Sequence, residues 1–161
     1  MYIIKFLDWY NNFKTKKMIH DVIKGDIFES KNNHIIFAVT TEGSNHFGFS
    51  GDVISKCWPE LENTGGNELG EVLTKKVGDK TFHAIVCHGL HKNVGWTQAP
   101  AIIEKAINEM SFPETECASI IAIGTSYFAT ISSAPLPEIM QALKNCNKQL
   151  AVYSLPIKKR R

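Results

Sequence analysis

Short apolar runs alternate along the chain with longer segments in which apolar residues recur every three or four positions, and Gly, Asn, Ser and Pro mark most of the changes. The short runs predict strands at 18–23, 34–40, 82–87, 119–123 and 149–153, with 70–74 a weaker sixth. Several are β-branched and apolar on both faces, as strands are when helices cover both sides of a sheet. The longer segments predict helices at 51–58, 98–110 and 135–145. In the second helix Ile102, Ile103, Ala106, Ile107 and Met110 form one stripe opposite Glu104, Lys105, Asn108 and Glu109, so the stripe is read as core. The alternation predicts an α/β fold, a three-layer α/β/α sandwich around a mixed, mostly parallel sheet of about six strands.

Ahead of the first strand, Ile3, Phe6, Leu7, Tyr10 and Phe13 suit an amphipathic helix that packs on the domain or, alternatively, offers a partner surface. Residues 1–17 are therefore read as an N-terminal extension, 18–155 as one domain and 156–161 as a solvated basic tail. A chain of 161 residues can bury about two-thirds of its unfolded surface, enough to fold without disulfide or metal. The formal charge is +2, and Lys158, Lys159, Arg160 and Arg161 supply part of it, so the body is nearly neutral. General nucleic-acid binding is not expected, and an anionic ligand must be held by local geometry. In a eukaryotic chain the same tail would also read as a nuclear-import signal.

Cys57, Cys87, Cys117 and Cys146 form no C-x-x-C pair and are read as reduced, half-buried thiols. His83, His88 and His91 have no Cys or carboxylate at metal-site spacing, so neither metal nor cofactor is expected. No apolar run reaches the roughly 18 residues of a membrane span, and Lys5 and Asp8 interrupt the opening segment where a signal peptide is apolar. The expectation is a cytoplasmic monomer.

Three segments put polar or Gly-rich residues directly after an apolar strand, the edge where open α/β sheets bind ligands. In Lys24-Gly25-Asp26-Ile27, the Asp26 carboxylate either caps a turn or accepts from an exocyclic amine such as that of adenine. In 40–53, Thr40 ends a strand, and Gly48, Phe49, Ser50, Gly51, Asp52 and Val53 lead through glycines into a helix whose first N–H groups suit phosphate oxygens. In 123–129, Gly124, Thr125 and Ser126 are small, while Tyr127 and Phe128 are aromatics able to cover a sugar or base. One carboxylate and two anion-cradling turns fit a nucleotide diphosphate. The spacing is neither G-x-G-x-x-G nor G-x-x-x-x-G-K-[ST], and no G-x-S-x-G elbow is present.

Taken in order, these segments resemble the macro domain family over 18–155. Gly25-Asp26-Ile27 is similar to its G-D-I element, which implies adenine contacts at Asp26 and Ile27. Gly48-Phe49-Ser50-Gly51 is similar to its diphosphate loop, and Gly124-Thr125-Ser126-Tyr127-Phe128 to its second phosphate loop, which implies Phe128 beside the distal ribose. The ending at 150–155 resembles the branch of terminal ADP-ribose glycohydrolases and yeast-type ADP-ribose-1″-phosphatases. Departures bear on mechanism. Where many members have I-V-N-A-A-N, this chain has Phe37 and Thr40 in place of the asparagines, so an amide contact to the ribose is lost or taken over by a hydroxyl. Ser50 stands where the hydrolase loop carries its Asp, and His88 or Lys92 and Phe128 stand for the glycohydrolase Lys and Asp.

The resemblance implies a module that binds ADP-ribose or its derivative, free or attached to a macromolecule. Two alternatives stay open. One is a hydrolase of an ADP-ribosyl bond or of ADP-ribose-1″-phosphate, with Asp52 or His88 acting on water. The other is a non-enzymatic domain that binds another nucleotide or a protein partner through the same edge.

Overall fold

A computed structural model of the chain describes residues 19–43, 48–63, 66–89, 95–126, 129 and 132–154. The extension at 1–17, the tail at 156–161, His91, Lys92, Tyr127 and Phe128 lie outside them. Strands β1 (Ile19–Ile23), β2 (His34–Thr40), β3 (Val72–Val77), β4 (Lys80–His88), β5 (Cys117–Ile121) and β6 (Gln149–Tyr153) form one sheet in the order β1-β6-β5-β2-β4-β3. All neighbours pair in parallel except β3, which runs antiparallel to β4 at the edge. The expected six-stranded mixed sheet is present.

Side-chain parity assigns the helices to faces. Phe37 of β2 meets Phe49 of α1 (Gly48–Lys56) edge-on at 5.4 Å and Trp58 at 6.5 Å. Ile35 and Phe37 of β2 pair with Phe82 and Ala84 of β4, so these residues share the α1 face. The alternate residues, Ile36 and His83 among them, look the other way, toward α2 (Ala99–Asn108) and α3 (Leu136–Asn145). Ile35, Ile36, Phe37, Ile85 and Ile120 are completely buried, which is why the strands read as apolar on both faces. Replacing a ring such as Phe37 by Ala costs about 3–5 kcal/mol through lost burial and the cavity left behind.

One polar exception inside the sheet is satisfied locally. The Ser119 hydroxyl on β5 is fully buried, shares a 2.5 Å hydrogen bond with Ser30 Oγ and accepts from Asn32 Nδ2 at 3.0 Å. These bonds pin the crossover from β1 to β2 across β5.

Several boundaries differ from the sequence expectation. Helix α1 begins at Gly48 rather than 51, because Phe49 and Val53, one turn apart, bury together and extend the helix through the glycines. Strand β4 runs over Lys80–His88, and β3 over Val72–Val77 rather than 70–74. Ile102 and Met110 are only half-buried, whereas Ile103, Ala106 and Ile107 form the core of α2. Cys87 and Cys146 are buried and Cys57 and Cys117 half-buried, all four as free thiols. Among the described residues no helix is long and apolar enough to cross a membrane.

Candidate functional site

The five parallel strands end at a common edge. Chain leaving β2 passes to α1 on one face of the sheet, and chain leaving the adjacent β5 passes to α3 on the other. Such a divergence between neighbouring parallel strands opens a crevice at their carboxyl ends. Thr40 stands at the end of β2, His88 at the end of β4, and Gly124 and Thr125 three and four residues past β5.

Asp26 follows β1 at the same edge. Its Oδ1 accepts from the Phe28 N–H at 2.9 Å and caps the 3₁₀ turn Ile27–Glu29. The carboxylate is exposed, so the cap leaves its second oxygen available to solvent or a ligand. The Ile27 side chain is buried in the core, and only its backbone remains for a ligand. Phe28 then stacks on Phe49, centroids 5.3 Å apart, which ties the Asp26 turn to the first residues of α1. Lys56 Nζ lies 4.6 Å from the centre of the Phe28 ring.

Among the residues of α1, Gly48 has a left-handed φ of 64° that a side chain would resist. Phe49 and Val53 point into the core, while Ser50, Gly51 and Asp52 are partly exposed. Past β5, Gly124 has φ 94°, and a Cβ there would come within 3.2 Å of Ile139 Cδ1. Thr125 Oγ1 donates to the Ala122 carbonyl at 2.6 Å, and Ser126 Oγ accepts from the Ala129 N–H at 3.0 Å. Both hydroxyls therefore shape the turn, and the Thr125 O–H is committed to it. Thr40 is different: its Oγ1 is buried and makes no hydrogen bond among the described residues.

His88 is buried under Trp96, with ring centroids 3.8 Å apart and planes nearly parallel. Trp96 is fixed in turn by its Nε1–H, which donates to Ser132 Oγ at 2.8 Å. Burial draws the His88 pKa down to about 4 despite the opposing field of Glu42, so the imidazole is neutral at physiological pH. Sequence reasoning missed Trp96 and Ser132. The available signal was chemical, since an indole N–H inside a fold needs an acceptor. Among the described residues no group of three His, Cys, Asp or Glu is placed to hold a metal.

The six-stranded mixed sheet with its helices matches the fold of solved structures. The macrodomain of Mycobacterium tuberculosis DarG superposes with a TM-score of 0.56 at 13% identity, over 87% of this chain and 99% of that one. The fold is that of a macrodomain. Thermosipho africanus DarTG in complex with ADP-ribose matches at TM-score 0.62 and 14% identity, over 90% of this chain and 43% of that one. An alphavirus P23pro-zbd structure matches at TM-score 0.61 and 14% identity, over 84% of this chain and 21% of that one. This macrodomain-like chain thus spans less than half of the last two proteins. No family profile matches the sequence, and no curated protein sequence matches it either.

Proposed function

We infer that the protein binds ADP-ribose or a close derivative, free or as a modification, at the carboxyl edge of its sheet. The observation that carries this reading is the convergence of Asp26, the start of α1 and the Gly124 turn on that edge, with Asp26 and α1 joined by the Phe28–Phe49 stack. In this arrangement Asp26 accepts from the adenine amino group. The N–H groups around Gly48 and Gly124 meet the diphosphate, and the Thr40 hydroxyl, without a partner among the described residues, faces the distal sugar. The solved complex of DarTG with ADP-ribose supports the ligand class through a shared fold.

Binding is preferred over hydrolysis because His88, with a pKa near 4 and stacked on Trp96, is a weak base at neutral pH. The hydrolytic reading rests instead on Asp52, a partly exposed carboxylate of α1. Four free thiols fit a reducing compartment, so a cytoplasmic location belongs to the same proposal.

Calorimetry with ADP-ribose and AMP tests the reading. ADP-ribose is expected to bind more tightly than AMP, and Asp26→Ala to weaken both by about 1.5–3 kcal/mol through loss of a charged hydrogen bond. No heat with millimolar ADP-ribose would reject the site. Turnover of an ADP-ribosylated substrate that vanishes in Asp52→Ala would replace the binding reading with the hydrolytic one.

A further inference from the structure

A half-open cavity of about 520 Å³ lies on the opposite side of β4 from α1, between strands β3 and β4 and helix α2. Its volume is in the range of small-molecule sites, roughly 300–1,000 Å³. Val72, Ile102, Ala106 and Met110 supply apolar wall, and Thr74 and His83 supply polar groups from the sheet. Ile102 and Met110, the two residues of the α2 stripe that stay half-buried, pack against the core and also line the cavity. Lys105 on α2 and Glu109, the residue that caps its C-terminus one turn on, also line it with opposite charges. Their fields largely cancel, which favours a neutral occupant.

His83 ends a chain of polar groups that begins at the surface. Glu116 Oε1 lies 3.6 Å from His34 Nε2, and His34 Nδ1 lies 2.9 Å from His83 Nε2. A carboxylate favours the proton on the nitrogen it faces, so His34 carries hydrogen on Nε2 and accepts at Nδ1. His83 Nε2–H is then the donor to His34, and His83 Nδ1 is left as an unprotonated acceptor with no partner among the described residues. Phe112 stacks on His34 at 4.1 Å and holds the pair in place. Burial first, and the field of His34 second, lower the His83 pKa to about 4 and keep that lone pair free at neutral pH.

We propose that this cavity is a second ligand site, separate from the carboxyl edge, for a small neutral aromatic molecule that donates one O–H or N–H hydrogen bond to His83 Nδ1. The ring lies between the aliphatic walls and the Met110 thioether, a group that makes favourable contacts with aromatic edges. Glu116, acting through His34, strengthens the acceptor. It is a positioning residue and does not touch the ligand.

The test is a titration of the isotopically labelled full chain with p-cresol and with its methyl ether, followed by NMR at the His83 ring nitrogens and the Met110 methyl. p-Cresol should give saturable shifts at both groups in the millimolar range. The ether, which keeps the ring but lacks the donor, should bind about tenfold more weakly, as expected for one net hydrogen bond. Thr74→Trp on the exposed edge strand and Ile102→Trp on α2 fill the cavity from opposite walls, and either one, folded, should abolish the response. Equal binding of the two compounds, shifts confined to the carboxyl edge, or unchanged binding in either folded Trp variant would overturn the proposal. ADP-ribose titration reads a different set of resonances, so either site can fail alone.

Discussion

The ring of Phe28 stacks on that of Phe49 with planes 29° from parallel, and this contact couples the turn that carries Asp26 to the helix that begins at Gly48. Phe28 is half-buried and also approaches Phe82 at 6.0 Å. Phe28→Ala should cost about 2–3 kcal/mol of stability, less than a fully buried ring. Because the same ring aligns two halves of the proposed site, ADP-ribose affinity should fall as well, by tenfold or so as an order-of-magnitude expectation. Urea unfolding measures the first effect and calorimetry on the folded variant the second. A loss of stability with unchanged affinity would show that the stack does not position the ligand.

Two glycines of the candidate turns are predicted to differ sharply. At Gly124 a Cβ would sit 3.2 Å from Ile139 Cδ1 and 3.5 Å from Leu136 Cδ1, on a backbone with φ 94°. Gly124→Ala should lose about 1–3 kcal/mol from backbone strain and crowding, and should weaken ADP-ribose binding by moving the turn. At Gly25 the added carbon meets only Ile23 Cγ2 at an ordinary 3.8 Å. Gly25→Ala should therefore fall within about 0.5 kcal/mol of the parent protein. Thermal unfolding of the pair checks this, and equal losses would contradict it.

The fold was legible where burial and local chemistry point the same way. Ile35, Ile36 and Phe37 read as strand because both faces of β2 are covered. The hairpin from β3 to β4 was less visible. Lys75 and Lys76 break the apolar pattern of an edge strand, although Gly78-Asp79 between Val77 and Lys80 is a recognisable two-residue turn, with Gly78 at φ 61°. At the candidate site, sequence order alone singled out Asp26, Gly48 and Gly124, which the topology puts at the carboxyl edge of the sheet. It could not find the pairing of His34 with His83, 49 residues apart, or the cover that Trp96 gives His88. Both arise from strand register and loop path, which leave no local mark in the sequence.

Thr40 offers a substitution that separates stability from binding. Its hydroxyl is buried without a partner among the described residues, a cost the folded state carries. Thr40→Val keeps the shape and removes that hydroxyl, so the unliganded protein should be unchanged or more stable by up to about 1 kcal/mol. If the hydroxyl meets the distal sugar, ADP-ribose should bind several-fold more weakly while AMP, which lacks that sugar, should not. Parallel calorimetry with the two ligands decides it, and equal effects on both would remove Thr40 from the sugar subsite.

Acid should destabilise the protein through the buried His83 and His88 before most carboxylates titrate. His83 and His88 both fall to about 4, in each case mainly by burial; His34 adds to the drop at His83, and Glu42 opposes it at His88. In the unfolded chain both titrate near 6.5. Between about pH 6.5 and about pH 4 the unfolded state therefore binds protons that the folded state refuses, and stability rises with pH. The contribution is fully present above the unfolded value, is lost as pH falls toward 4, and changes no further below that. Each histidine should account for up to about 2–3 kcal/mol across the window. His34, lowered by burial against the opposing field of Glu116, adds a smaller effect of the same sign. Urea midpoints at neutral pH and near pH 4.5 should thus differ markedly for the parent protein, and the difference should shrink in His83→Gln and shrink again in His83→Gln/His88→Gln. A double variant with the parent's full pH dependence would locate the acid sensitivity elsewhere, and neither ring could then be neutral because it is buried.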